Sequence, residues 1–388
     1  MKISFISGWS TDNKKAFSGT PYFMAQALQQ YAPNTEVITS PRTVRSIIES
    51  GGEDYIRSEL QKIGSYLSNE LQKSNSDAII CLGNGLVPYL ETDKPIILWH
   101  DSIWFAVHEL DFEKFKHEHP LYYELDQLTF KRSSLIIFAA EWVKKLAIEY
   151  YGVQPEKIQV IPFGANIEPK SQDEIYQSIN QRPLTQCNLT FIAKNWVMKG
   201  LPLTFEVAKN LNKNGLQTIL NVIGNDPPRI TKRRRVSHMI HYHRFDQREV
   251  FKYQYHRAGF VKHHGFLTKD DPGDDQSLSK IILSSHFLLH PTSFDCFGLV
   301  LAEANAYGVP AITTNLLGPD SIIRDGVNGY KYPLGRFVGL ATNRILSIFK
   351  DYPQYIKLAS SSFHEYKKKL NWDTSVKKVL ELIEQFIQ

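Results

Sequence analysis

An α/β fold in two parallel-sheet domains is what this sequence predicts, on three observations. Short apolar runs alternate with helical stretches along the whole chain, the pattern of strand–helix–strand units. The 388 residues exceed what one ordinary core organises, so two domains are expected. One polar stretch with two prolines and no strong periodicity, Glu168–Pro183, separates two such series and reads as a linker.

In the first series, Lys2–Ile6 is a strand and Pro21–Tyr31 a helix. Ala78–Leu82, Ile96–His100 and Leu135–Ala139 are apolar runs of the buried-strand type. Glu141–Tyr151 reads as a helix, and Ile158–Ile161 as a strand that ends in Pro162-Phe163-Gly164. The second series opens with the strand Leu189–Ala193 and a helix from Leu203 to Asn214. Thr218–Ile223, Val261–Phe266, His286–His290, Ala311–Thr314 and Gly329–Tyr332 follow as strands. The last helix, Thr374–Ile387, carries its apolar stripe at Val376, Val379, Leu380, Leu382, Ile383 and Phe386. Each series is one Rossmann-like unit, residues 1–167 and 184–371, with 168–183 between them. In open parallel sheets ligands bind beyond the carboxyl ends of the strands, so the loops that follow them are the places to look for chemistry.

Bulk composition narrows the function class. Hydrophobic content of 42% and charge of 22% fit a folded chain rather than a disordered one. Cys81, Cys187 and Cys296 are odd in number and far apart, which fits neither a zinc site nor a disulfide framework and suggests a reducing compartment. The N-terminus lacks the apolar core of a secretory signal, and no run of about 18 apolar residues occurs. The chain is expected to be cytoplasmic and to meet a membrane, if it does, peripherally at the inner face. Its net charge of +5 is uneven: Arg229 to Lys262 holds ten Lys/Arg against Asp246 and Glu249, a local +8, leaving −3 for the rest. Within it, Arg229–Arg235 is either a solvated loop or a surface for anionic lipid or an acidic glycan; nucleic acid is not expected.

The most informative stretch runs from His290 to Ala304. It reads as a buried strand ending near His290, a tight turn, and a helix opening near Phe297-Gly298, with Asp295 in the turn and Glu303 about two helical turns in. A glycine at a helix mouth admits a ligand to the backbone, and the unpaired N–H groups there attract anions. One carboxylate at the mouth and one deeper suit a phosphate carried between two hydroxyl-bearing sugars, the outline of a nucleotide-sugar.

Three further loops are candidates, each with a plain alternative. Phe17-Ser18-Gly19-Thr20-Pro21 is a phosphate-facing loop or an ordinary strand-to-helix turn, with Thr20 as N-cap and Pro21 in the first helical turn. His100, at a strand end, is a partner for a sugar hydroxyl or a partly buried cap. Lys194 and Lys199, with Gly200 introducing the next helix, are two point charges for one anion or two surface lysines. Gly83-Asn84-Gly85 is a partial dinucleotide fingerprint with Pro88 where a glycine belongs, and we reject it. Asp270–Asp275 lacks metal-ligand spacing and reads as a polar loop capping a helix.

Together these segments resemble the retaining glycosyltransferases of family 4, over nearly the whole chain. Phe17-Ser18-Gly19-Thr20-Pro21-Tyr22 is similar to the family's glycine loop, and Glu141-Trp142, Tyr151-Gly152-Val153 and Ile161 to Asn166 to the end of its first domain. Asn195-Trp196 through Lys199-Gly200 resembles its phosphate-lysine segment. Asp295 to Glu303 resembles its two-carboxylate motif, with Gly308-Val309-Pro310 and Asn328-Gly329 following in place. Two departures stand out: Asp295 replaces a Glu, and Lys194 stands where an Arg is usual, which removes bidentate recognition.

The resemblance implies the glycosyltransferase-B architecture, two Rossmann-like domains facing across a cleft whose closure gates reaction, with the final helix, 372–388, crossing back to complete the first domain. It implies transfer of a hexose from a UDP- or GDP-sugar to a glycan or lipid-linked acceptor, with retention and without a metal or other cofactor. Glu303 would accept from the ribose hydroxyls, and Gly265, Phe266 and Leu267 would border the nucleotide. Asp295 and His100 would face the donor sugar. Lys194 and Lys199, with Thr20 and backbone N–H groups near Gly19, Phe297, Gly298 and Leu299, would hold the diphosphate. The alternatives are a phosphorylase or epimerase of the same fold, or a non-catalytic, membrane-associated nucleotide-sugar-binding protein.

Overall fold

The computed structural model describes residues 1–108, 111–227 and 247–387. The chain forms two compact units, Met1–Ile167 with Lys368–Gln388, and Glu168–Lys367. Each is built on a six-stranded parallel sheet.

In the first unit the strands are β1 (Ile3–Ser7), β2 (Glu36–Thr39), β3 (Ala78–Leu82), β4 (Ile96–His100), β5 (Leu135–Phe138) and β6 (Ile158–Val160), in the order β2-β1-β3-β4-β5-β6. β1, β3, β4 and β5 are buried along their whole length, which is why they read as unbroken apolar runs. Helix Glu53–Lys73 lays Ile56, Leu60, Ile63, Leu67 and Leu71 on this sheet at helical spacing. The last helix, Trp372–Ile387, buries Val376, Val379 and Ile383 and packs against helix Thr20–Tyr31. Backbone contact there is close: a Cβ on Gly164 would lie 2.3 Å from the Trp372 nitrogen, so a side chain is excluded.

The second unit contains β7 (Gln186–Ala193), β8 (Gln217–Gly224), β9 (Val261–His263), β10 (Phe287–His290), β11 (Ala311–Thr314) and β12 (Gly329–Tyr332), in the order β12-β11-β10-β7-β8-β9. β7 and β8 pair over eight residues, from Gln186 with Gln217 to Ala193 with Gly224. The order of the strands reverses between β1 and β3 in the first sheet and between β7 and β10 in the second. At such switch points the flanking loops turn to opposite faces and leave a crevice at the carboxyl ends. The loops after β7 and β10 are those that carry Lys199 and Asp295.

Several expectations need correction. The stretch 168–183 is not an extended linker: Gln172–Gln181 is a helix capped by Ser171, with Ile175 and Ile179 buried. β9 ends at His263 instead of Phe266, because Gly265 turns the chain in the left-handed region. β2 and helix Glu53–Lys73 also lie outside the elements read from the sequence. Asp271 caps helix Pro272–Leu283, as expected of that acidic run. Among the described residues, no helix is long and apolar enough to cross a membrane. The basic run Arg229–Arg235 lies outside the described residues, as do the positions after it up to 246; from 247 the stretch forms helix Gln247–Tyr255 and enters β9.

Candidate active site

At the switch point of the second sheet, the loop after β7 folds back so that Gly200, with φ +81°, begins helix Leu201–Lys213. A Cβ at Gly200 would come 2.2 Å from the Pro291 carbonyl oxygen, so only glycine lets this turn lie on the turn after β10. Lys199 is thereby brought across: its ammonium donates to Asp295 Oδ2 at 2.7 Å and to the Phe294 carbonyl at 2.8 Å. His290, at the end of β10 and 2% exposed, donates from Nε2 to the same Oδ2 at 2.9 Å, since a carboxylate can only accept. Burial would raise the Asp295 carboxyl, but the hydrogen bond and charge of His290 and the Lys199 ammonium outweigh it and hold the group well below its usual range. Asp295 is a fixed anion, and Lys199 is oriented by it.

Glu303 lies one turn, rather than two, into helix Leu299–Ala306, because the helix begins at Leu299 with Gly298 as a left-handed cap. The helix is rigidly seated. Asn305 donates to the Val309 and Asn328 carbonyls at 3.1 and 3.2 Å, and Asn328 donates to Asn305 Oδ1 at 2.7 Å. The Gly308-Val309-Pro310 and Asn328-Gly329 segments therefore support the helix that carries Glu303. Lys269, in the loop after β9, donates to Glu303 Oε1 at 2.5 Å, and both side chains are nearly buried, 13% and 8% exposed. Lys269 was not singled out in the sequence; it is 34 positions from its partner, and nothing local marks it.

The remaining candidates of this unit fall nearby in the loops but differ in accessibility. Lys194 is exposed, its ammonium 5.0 Å from the centre of the Phe266 ring, a cation–π arrangement. Lys194 and Lys199 thus hold different partners. Phe266 is 52% exposed and Leu267 half-buried, while Gly265 accepts from the Gly224 N–H through its carbonyl. Phe297 is buried, and Gly298 and Leu299 open the helix.

Gly19, Thr20 and His100 belong to the first unit. Phe17, Ser18 and Gly19 all have positive φ, 46°, 57° and 93°, a strained turn for two non-glycine residues. The helix cap is Gly19, not Thr20. The Thr20 hydroxyl instead accepts from Asn166 Nδ2 at 2.9 Å, and the same amide donates to the Ser18 carbonyl at 3.1 Å. Trp372 Nε1 donates to Asn166 Oδ1 at 2.9 Å, so the last helix holds the loop in its strained form. The Phe17 ring meets His100 edge-on with centroids 6.0 Å apart. Burial lowers the His100 imidazole to about 4, so it is neutral at ordinary pH. Its Nδ1 is buried without a hydrogen-bond partner among the described residues; Asp101 Oδ1, at 3.7 Å, is too far. Also among the described residues, no group of three or more His, Cys, Asp or Glu could hold a metal ion.

The chain is similar to known proteins. Residues 173–365 match the model of the family described as glycosyl transferases group 1. An uncharacterized 41.2 kDa protein in the cps region of Klebsiella pneumoniae is 22% identical over 222 residues, 57% of this chain and 53% of that one. The lipopolysaccharide glucosyltransferase WaaG of Escherichia coli is 25% identical over 185 residues, 46% of this chain and 42% of its own. The matches to these curated relatives thus span about half their length. Among solved structures, HepE of Anabaena in complex with UDP superposes with a TM-score of 0.67 at 16% identity, covering 99% of this chain and 100% of that one. WaaG superposes with a TM-score of 0.65 at 16% identity, covering 98% and 99%. These structures share the two parallel-sheet units of the glycosyltransferase-B fold. Through the matched residues of its second unit the chain belongs to the glycosyl transferases group 1, and it carries the glycosyltransferase-B fold.

Proposed function

We propose that the chain transfers a hexose from a nucleoside-diphosphate sugar to a glycan or lipid-linked acceptor, with retention and without a metal. The observation that carries this reading is the Lys199–Asp295 pair, 2.7 Å long, set by His290 against the turn that opens helix Leu299–Ala306. Lys199 has two acceptors already, Asp295 and the Phe294 carbonyl, and its third proton is available to a phosphate oxygen. Lys194 supplies a second cation. With the N–H groups at the mouth of the helix, these donors stabilise the charge that develops as the sugar–phosphate bond breaks.

Glu303 accepts from the ribose, and Asp295 reaches the donor sugar through the oxygen that Lys199 and His290 leave open. His100, neutral and with a bare ring nitrogen, presents a hydrogen-bonding group without charge to the donor sugar. Gly19 and Thr20 complete the phosphate contacts, and Gly265, Phe266 and Leu267 border the nucleotide. HepE was solved with UDP, so UDP-sugars come before GDP-sugars as donors to test.

Lys199→Ala is the direct test. Charge-assisted hydrogen bonds are worth about 1.5–3 kcal/mol each, so losing this ammonium should lower the transfer rate by about two orders of magnitude. The fold should survive because His290 still holds Asp295. Sugar release and transfer from UDP-sugars, followed with and without EDTA, measure it. Near-normal turnover in the variant would remove Lys199 from the site, and dependence on a divalent ion would end the metal-free reading.

A further inference from the structure

The Lys269–Glu303 pair is the charged contact the family motif leaves unexplained. A buried ion pair is weak evidence for stability, because an apolar pair of similar size commonly serves as well. This pair sits where the loop after β9 meets the helix that carries the second motif carboxylate. The loop is fastened on both sides of the lysine. The Gly224 N–H donates to the Gly265 carbonyl at 2.8 Å, the Thr268 N–H donates to Asp274 Oδ2 at 3.0 Å, and Asp271 caps the following helix. Lys269 therefore stands on a segment stitched to β8 and to helix Pro272–Leu283. Its long side chain is committed to one carboxylate oxygen.

We propose that Lys269 is a positioning residue of the nucleotide site, holding Glu303 through Oε1 as an ionised acceptor whose other oxygen takes the ribose hydroxyls; this rests on the nucleotide-sugar reading above. The physical case has three parts. A nearly buried carboxylate is costly unless it is paired and hydrogen-bonded, and Lys269 is its one hydrogen-bond partner among the described residues. An ionised carboxylate accepts and cannot donate, which suits two neighbouring hydroxyls that must both donate. A carboxylate pinned at one oxygen is also oriented before the ligand arrives, so less ordering is left to binding. Lys269 acts through Glu303 and not on the phosphates, a task that Lys199 and Lys194 already cover.

A mutant cycle tests this. UDP binding by calorimetry and steady-state kinetics with a UDP-sugar are measured on the full chain as wild type, K269M, K269R, E303Q and K269M/E303Q. K269M should raise Kd for UDP and KM for the donor 10- to 100-fold with kcat changed less than about threefold, and K269R should recover most of that loss. In the E303Q background, K269M should add less than about threefold. A Kd that moves less than threefold in K269M, or an equal loss with and without Glu303, overturns the assignment. If K269M does not fold, Asp274→Ala keeps both charges but frees the loop, and it should raise Kd three- to tenfold; an unchanged Kd is then the overturning result. A wild type that binds no nucleoside diphosphate fails the nucleotide-sugar reading itself. Tight UDP binding lost in E303Q and untouched in K269M fails the role of Lys269 alone.

Discussion

His290 and Lys199 share one oxygen of Asp295, and that geometry gives a physical account of the shorter side chain. An aspartate at the end of a tight turn can be reached by a strand-end histidine five residues earlier, and the three groups lock together below the surface. Asp295 and Glu303 were legible because their spacing and the glycine at the helix mouth are local features. His290 and Lys269 were not, since their partners are set by strand order and loop packing. Another buried carboxylate, Asp126, lies outside the motifs. It is fully buried in the first unit, where it accepts from the Trp104 and Phe105 N–H groups and from the Tyr151 hydroxyl. Burial dominates over these bonds and lifts it from 3.8 to about 7. The folded chain then binds more protons than the unfolded chain between roughly pH 4 and 7, so this group's contribution to stability falls as pH rises through that window. The change is on the order of 4 kcal/mol. Asp126→Asn should remove it: in urea unfolding, the wild type's stability relative to the variant should decline from pH 4.5 to pH 7.5. A difference independent of pH would show that the carboxyl ionises normally.

Among elements, the strands of both sheets were the easiest to read, because strands buried on both faces leave continuous apolar runs. β2 escaped because only Ile38 of its four residues is buried. The helix Gln172–Gln181 escaped for a different reason. Its surroundings are polar, and one of the polar residues is structural: Arg182, 3% exposed, donates to the carbonyls of Gly308 at 2.7 Å, Tyr307 at 2.9 Å and Leu283 at 3.1 Å, and to the Tyr355 hydroxyl at 2.5 Å. A composition rule counts this arginine as solvent-facing, whereas it ties the segment to the end of the helix carrying Glu303 and to helix Tyr352–Lys369. Arg182→Met keeps the stem but strands these acceptors. Hydrogen bonds to a charged group contribute about 1.5–3 kcal/mol each, so a loss of at least about 3 kcal/mol is expected, read as a lower melting temperature. A melting point within about 2 °C of wild type, on the scale of shifts for a chain this long, would mean the segment holds without the arginine.

At the scale of the whole molecule, the chain leaves its first unit after Ile167, builds the second, and returns at Lys368. The first unit is therefore completed by residues that follow the second in the chain. Trp372 is the joint. Its ring lies 5.7 Å from both Trp99 and Phe163, its backbone touches Gly164, and its Nε1 anchors Asn166, which holds Ser18 and Thr20. The apolar stripe of the last helix was visible in the sequence, and the family resemblance implied the unit it completes; the helix it meets there was not legible, since Thr20–Tyr31 is some 350 positions away. Truncating a large buried aromatic costs about 3–5 kcal/mol, and Trp372→Ala also leaves Asn166 without its donor. We expect the variant to lose hydrogen-exchange protection in peptides covering helix Thr20–Tyr31 and the Ile161–Asn166 segment. Peptides covering β7, β10 and helix Leu299–Ala306 should exchange as in wild type. Loss of protection spread evenly over both units would show instead that the two share one cooperative unfolding, and that the returning helix stabilises the whole chain rather than the unit it completes.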